Sequence, residues 1–212
     1  MIAKAARSRG KPSNQVSGQS AAAIKRAALD LFAIRGFDGA STREIAAAAG
    51  VDASLISYQF GSKLGLWKAI VADVGRALMS ALDGTSAGAE ASARDQLQAS
   101  MTAFVDFALR NPALVQFLRR DAETDVEHSR YLGETLGPPI FDRHLPLMEA
   151  AKAAGGLPEI CPAIAVLHFS QGVAAMVRRR ELLVSRDPRL ADDEIFRAAL
   201  CDTLIAPLFR ND

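Results

Sequence analysis

An all-α fold is predicted by two features of the 212-residue chain. From residue 21 onward nearly every segment repeats its apolar residues at helical spacing, and no stretch sustains the period-two alternation with β-branched enrichment that marks strands. Composition agrees with a folded chain, since 50% of residues are hydrophobic and 23% charged, as in ordinary globular proteins. The length admits one or two domains and a sizeable core.

About nine helices are expected. Ile24, Ala28, Leu31 and Phe32 form the first stripe, with Ser20 as N-cap and Gly36 as a left-handed terminator. A short second helix covers Thr42 to Ala49 and a third Ser54 to Phe60; Ser62 caps a fourth with the stripe Leu66, Ile70, Val74, Leu78 and Ala81. Gly84 to Gly88 interrupts the pattern before a fifth helix marked by Leu97, Met101, Phe104 and Ala108. Asn111-Pro112 supplies a cap followed by proline at the first position of a sixth helix, which runs to about Arg120. A seventh spans Asp125 to Ala154, where Pro138, Pro139 and Pro146 predict breaks or kinks. After Gly155-Gly156 come an eighth helix, Pro162 to Val184, and a ninth, Asp192 to Phe209.

Charge divides the chain. Residues 1–63 carry 9 Lys/Arg against 4 Asp/Glu, a net +5, and residues 64–212 carry 16 against 20, a net −4. A polyanion partner is therefore expected at the N-terminal third. Residues 1–19 are poor in large apolar groups and contain Lys4, Arg7, Arg9 and Lys11, so they read as a basic arm; it either follows phosphates or is a solvated tail. Cys161 and Cys201 have neither disulfide-framework nor zinc spacing and read as small core residues. With no apolar run of about 18 residues and no signal-peptide core, a cytoplasmic location and no membrane partner are expected.

The segment Gly36 to Lys63 carries the functional signal. Two short helices flank Gly50-Val51; Ala46 is small where they cross, Gly50 suits a left-handed turn, and Ile45, Val51 and Ile56 fill the space between them. Each residue alone is common, but together they specify a helix-turn-helix.

Its flanks are Gly36-Phe37 ahead of Ser41-Thr42-Arg43, and Tyr58-x-Phe60-Gly61-Ser62-Lys63 behind. With these the segment resembles the N-terminal domain of the TetR family of transcriptional regulators, over residues 20 to 70. Ser57 stands where tyrosine is frequent in that family, Tyr58 follows it, and Gln59 replaces the usual histidine. The resemblance implies three divisions: an arm at 1–19, a three-helix DNA-binding domain at 20–65, and a helical-bundle domain for ligand binding and dimerisation at 66–212. It also implies a sequence-specific repressor acting on double-stranded DNA at a palindromic operator. Ser41, Thr42 and Arg43 would meet phosphate at the start of the second helix, Ala53, Ser54, Ser57 and Tyr58 would face the major groove, and Lys63 would grip a phosphate. Leu55 belongs to the core or touches a thymine methyl.

Two readers per operator require a homodimer. The apolar stretch Ala163 to Val177, with small Gly172, Ala174 and Ala175, and Ile195, Phe196, Ala199, Leu200, Leu204 and Leu208 make the last two helices its candidate interface, though a buried core helix has the same composition. The resemblance also implies a cavity for a largely apolar small-molecule effector. Phe104, Phe107, Phe117, Met148, Arg119, His144 and His168 are its candidate lining and anchors, with plain core as the alternative for each ring. No metal-ligand spacing, phosphate loop or nucleophile elbow occurs, so neither an enzyme nor a cofactor is expected. A helical ligand-binding protein or enzyme with a vestigial reader is the second reading, resting on Ser57 and Gln59.

Overall fold

The computed structural model describes the backbone of residues 14–84, 91–122 and 125–209, with side chains from 18 onward except 119–122. Among them are ten α-helices, two 3-10 turns and no strand: α1 (Asn14–Arg35), α2 (Thr42–Ala49), α3 (Ala53–Phe60), α4 (Lys63–Asp83), α5 (Ala93–Arg110), α6 (Pro112–Ala122), α7 (Val126–Ala153), α8 (Pro162–Arg178), α9 (Arg180–Val184) and α10 (Asp193–Leu204), with the turns at Pro188–Ala191 and Ala206–Phe209. The basic residues Lys4, Arg7, Arg9 and Lys11 lie outside the described residues.

Four details depart from the sequence reading. Ser20 is not an N-cap but lies inside α1, which begins at Asn14; nothing between them stops a helix once it is nucleated, and propagation is cheap. The three prolines do not divide α7, one continuous helix of 28 residues. The Thr135 carbonyl, deprived of its helical donor by Pro139, faces Gly75 of α4, where an added Cβ would come within 3.4 Å of it; packing of α7 against α4 thus accommodates the defect.

The third departure is the tenth helix, created because the expected run from Pro162 breaks at Arg179. Arg180 turns away to donate to Leu190 O (3.0 Å) and Ala191 O (2.9 Å), pairs with Asp193 at 2.5 Å and lies 4.7 Å from the Phe196 ring centroid. Those four interactions fasten the 3-10 turn to the start of α10 and stop α8 from continuing. Fourth, Cys161 is exposed rather than buried, because it occupies the N-cap position ahead of Pro162.

Two hydrophobic clusters organise the helices. One joins Ile24, Ala28 and Phe32 of α1, Ile45 and Ala46 of α2, Ile56 of α3 and Leu66 to Val74 of α4, and is closed by Phe117 of α6 and Leu132 of α7. The other joins Leu78 and Leu82 of α4 to α5, α7, α8 and α10 through Met101, Phe104, Met148, Phe169, Val173, Phe196 and Leu200. Helix α4 therefore has its first half in one core and its second half in the other. Between α5 and α10, Arg197 grips Asp106 with two bonds, 2.5 and 3.2 Å. Arg94, at the start of α5, donates to Phe209 O at 2.6 Å and Gly156 O at 3.4 Å, tying the chain's last turn to the α7–α8 connection.

Candidate nucleic-acid interface

Helix α2 starts at a complete capping box. Ser41 is extended (φ −95°, ψ 151°), its hydroxyl accepts the Glu44 amide at 3.2 Å, and the Glu44 carboxylate accepts the Ser41 amide at 3.0 Å and hydroxyl at 2.7 Å. Arg35 binds the same carboxylate at 2.7 Å. The bonds from Ser41, then the Arg35 guanidinium, hold the Glu44 carboxyl below its ordinary range.

Gly50 ends α2 in the left-handed region (φ 68°, ψ 32°), and Val51 N–H returns to Ala46 O at 3.0 Å, so the chain reverses in two residues. Asp52 then caps α3 by accepting Ser54 N–H at 2.8 Å, and bonds from the Ser54 hydroxyl and then its amide lower the Asp52 pKa. Ile45, Ala46 and Ile56 are buried between the helices. Truncating Ile56 to alanine removes a fully buried side chain and costs about 2–5 kcal/mol. On the outer surface Ser41, Arg43, Ser54, Ser57 and Tyr58 are exposed, Tyr58 at 82%, with Thr42, Ala53 and Leu55 half-buried. One face of α3 and the start of α2 are thus exposed above a shared buried base of Ile45, Ala46 and Ile56.

Lys63 is placed differently from the sequence expectation. Its ammonium turns inward, donating to Phe37 O at 2.9 Å and Ala40 O at 3.2 Å, and sits 4.3 Å from the Phe37 ring centroid. Three of its directions are thereby occupied within the chain, so it is not aimed at a phosphate here.

Of the seven candidates for an effector site, six have described side chains, and these divide among four locations. Phe104 and His144 come together with Phe169 in the larger cluster: His144 is 6.2 Å from Phe104 and 6.1 Å from Phe169 between ring centroids, and Met148 is buried in the same cluster. His144 Nδ1 lies 2.8 Å from Ile140 O, so it donates there, leaving Nε2 to accept from Ser100 Oγ at 3.3 Å. Burial pushes the His144 pKa down and keeps the ring neutral. Phe107 is partly buried and touches both clusters, whereas Phe117 stacks on Phe32 and meets Trp67 at a tilt in the cluster shared by α1–α4. His168 is exposed on α8, and the Arg119 side chain lies outside the described residues.

His128, which no sequence motif singles out, packs between Phe37 and Trp67 at centroid distances of 4.6 and 4.4 Å. No spacing rule finds such a contact, because it joins the start of α7 to a turn near the beginning of the chain.

The described residues thus form a capped helix-turn-helix with an exposed second helix, carried on a helical bundle. Residues 24–70 match the family model described as bacterial regulatory proteins, tetR family. The same fold recurs in solved structures. A tetR-family regulatory protein from Rhodococcus RHA1 has TM-score 0.76 at 21% identity, over 91% of this chain and 98% of that one. The fatty acid degradation regulator FadR from Bacillus halodurans has TM-score 0.72 at 16% identity, over 95% and 100%. HlyIIR, a hemolysin II transcriptional regulator, has TM-score 0.65 at 17% identity, over 92% and 99%. Among curated proteins none matches the sequence. Residues 24–70 thus match the tetR-family model, and the chain as a whole shares its fold with solved structures of TetR-family regulators.

Proposed function

We propose that the protein is a dimeric, ligand-responsive transcriptional repressor of TetR type, with residues 20–65 reading DNA and residues 66–212 sensing a ligand and dimerising. The observation that carries this reading is the surface at Ser41–Arg43 and Ser54–Tyr58: exposed donors at a helix start beside an exposed helix face, on a segment of net positive charge. Ser41, Thr42 and Arg43 bind phosphate, and Ala53, Ser54, Ser57 and Tyr58 enter the major groove. Because the groove-facing side chains are short apart from Tyr58, apolar contact and DNA shape contribute to specificity. Anisotropy titration of labelled fragments flanking the coding sequence tests the reading; affinity no greater than for random DNA would overturn it.

The dimer face is assigned to α8 and α10. Ala163, Ile164, Leu167, His168 and Gln171 form an exposed stripe along α8, and Ile195 and Ala198 an exposed edge of α10, with Ile164 69% and Leu167 48% exposed. A second copy of the chain would bury this stripe. Gly172, by contrast, serves the chain itself: an added Cβ would lie 3.2 Å from Leu204 Cδ2. The effector, largely apolar, is assigned to the neighbourhood of Phe104, Phe107, Met148 and His144, where the Ser100–His144 hydrogen bond lies among apolar side chains. Its binding favours a state whose recognition helices no longer match successive major grooves, about 34 Å apart.

A further inference from the structure

The turn leading into α2 is closed locally by two backbone bonds, Gly36 N–H to Phe32 O at 2.8 Å and Ala40 N–H to Phe37 O at 3.4 Å, and is spanned by the Arg35–Glu44 pair. Gly36 is left-handed (φ 77°), and Gly39 lies so close to the Arg35 carbonyl that an added Cβ would sit 2.5 Å from it. Glycines give a turn access to many conformations, so contacts from outside the turn add to these bonds in selecting one. Phe37 is the side chain that reaches out of it, and it is held from two sides.

On one side is Lys63, the first residue of α4, with its ammonium over the Phe37 ring and bonded to the carbonyls of Phe37 and Ala40. Ala40 immediately precedes the Ser41 cap. On the other side is His128, 5% exposed, whose ring meets Phe37 edge-on and rests against Trp67 of α4. His128 Nδ1 is buried without a hydrogen-bond partner among the described residues, so aromatic packing dominates its surroundings.

The first turn of α7 is itself anchored. Asp125 accepts the amides of Glu127 (2.7 Å) and His128 (3.0 Å), Glu127 pairs with Lys68 of α4 at 2.9 Å, and Tyr131 donates to Lys68 O at 3.4 Å beneath the Lys68 ammonium. His128 therefore presses on Phe37 from a platform that moves with α7 and α4 together.

We infer that His128 is a positioning residue for the DNA-reading head: with Lys63 it clamps Phe37, and the clamp sets the turn that presents Ser41, Thr42 and Arg43. The body then reaches α2 through the start of α7 as well as along α4. Lys63 contributes to DNA binding through the geometry of that turn rather than by neutralising a phosphate. The consequence for DNA rests on the proposed function; the clamp does not.

Hydrogen exchange on the full chain without DNA tests the clamp. In His128→Ala and Lys63→Met, amides 36–44 are expected to exchange about tenfold faster, equal to about 1.4 kcal/mol of local opening, while those of α3 change little. His128→Phe restores protection, because a phenyl ring retains the packing. If His128→Ala fails to fold, His128→Leu, which keeps most of the buried volume, carries the same expectation. Unchanged exchange at 36–44, an equal rise throughout α1–α4, or no rescue by phenylalanine would overturn the inference. In promoter titrations Lys63→Met should weaken binding and leave the salt slope unchanged, whereas a fall of about one unit would identify a direct phosphate contact and overturn the Lys63 half. Wild-type protein without promoter preference would refute the regulator reading and leave the exchange result standing.

Discussion

The Ser41 hydroxyl accepts one bond from Glu44 and donates another to its carboxylate, while the same residue lies at the proposed phosphate surface. Stability and DNA binding can be separated there. Ser41→Ala loses the cap and is expected to cost about 1 kcal/mol in urea unfolding; Ser41→Asp keeps a capping oxygen but sets a carboxylate beside that of Glu44 and against phosphate, so it should lose stability by a similar amount while weakening promoter binding far more than Ser41→Ala does. The Glu44 carboxyl is depressed by these bonds, so its contribution is present above the unfolded carboxyl pKa of about 4.3 and is lost as pH falls through the folded value. His144 titrates with the same pH slope but for another reason. Its folded pKa is lowered by burial, so below about pH 6.5 the unfolded chain binds a proton that the folded chain refuses, and stability falls until the folded pKa is passed. Urea midpoints at pH 7.5 and 5.5 should show a smaller acid loss in His144→Phe than in the wild type, by up to about 1.4 kcal/mol per pH unit crossed; equal losses would remove His144 as the source. At this scale the Ser62 cap was legible in sequence because its partner, the Gly65 amide, lies three positions away, whereas Ser20, expected to cap the first helix, lies inside it. The inward turn of Lys63 and the packing of His128 were not legible, since both depend on side chains brought together by the fold.

Within helices and turns, glycine shows which constraints are conformational and which are steric. Gly50 has no atom within 4 Å of an added Cβ but sits at φ 68°, whereas Gly65 would place a Cβ 2.0 Å from the Phe60 carbonyl. Gly50→Ala should therefore cost about 1–2 kcal/mol, the price of a left-handed alanine. Gly65→Ala should cost more, because backbone must move; thermal unfolding of the two variants gives the order, and the reverse order would contradict the steric argument. The helix-turn-helix was readable from the sequence because Ala46, Gly50, Val51 and Ile56 meet local demands. Longer elements were less so. The continuity of α7 through Pro138, Pro139 and Pro146 depends on what α4 offers to Thr135, and the break at Arg179 depends on carbonyls that Arg180 finds at Leu190 and Ala191. Local propensity carries no record of either partner.

At the scale of the molecule, α4 couples the two cores, since Trp67, Ile70 and Val74 pack with α1, α2 and α3 and Leu78 and Leu82 pack into the bundle. A rotation of α4 cannot disturb one core without straining the other, because packed interiors resist continuous deformation. For such motion to change the spacing of two readers, the bundles must be fixed to one another, and the proposed α8 stripe is where that attachment is tested. Leu167 is half exposed in the single chain, so Leu167→Glu should leave unfolding temperature and helical content near those of the wild type. Placed across an apolar interface, the same carboxylate would be desolvated without a partner. Sedimentation velocity should then show a monomer, and promoter affinity should fall about 10²-fold or more, because the second reader no longer binds as part of the same molecule. A dimer that survives Leu167→Glu with promoter affinity intact would move the interface off this face of α8, whereas a monomer that still binds with full affinity would show that one reader suffices.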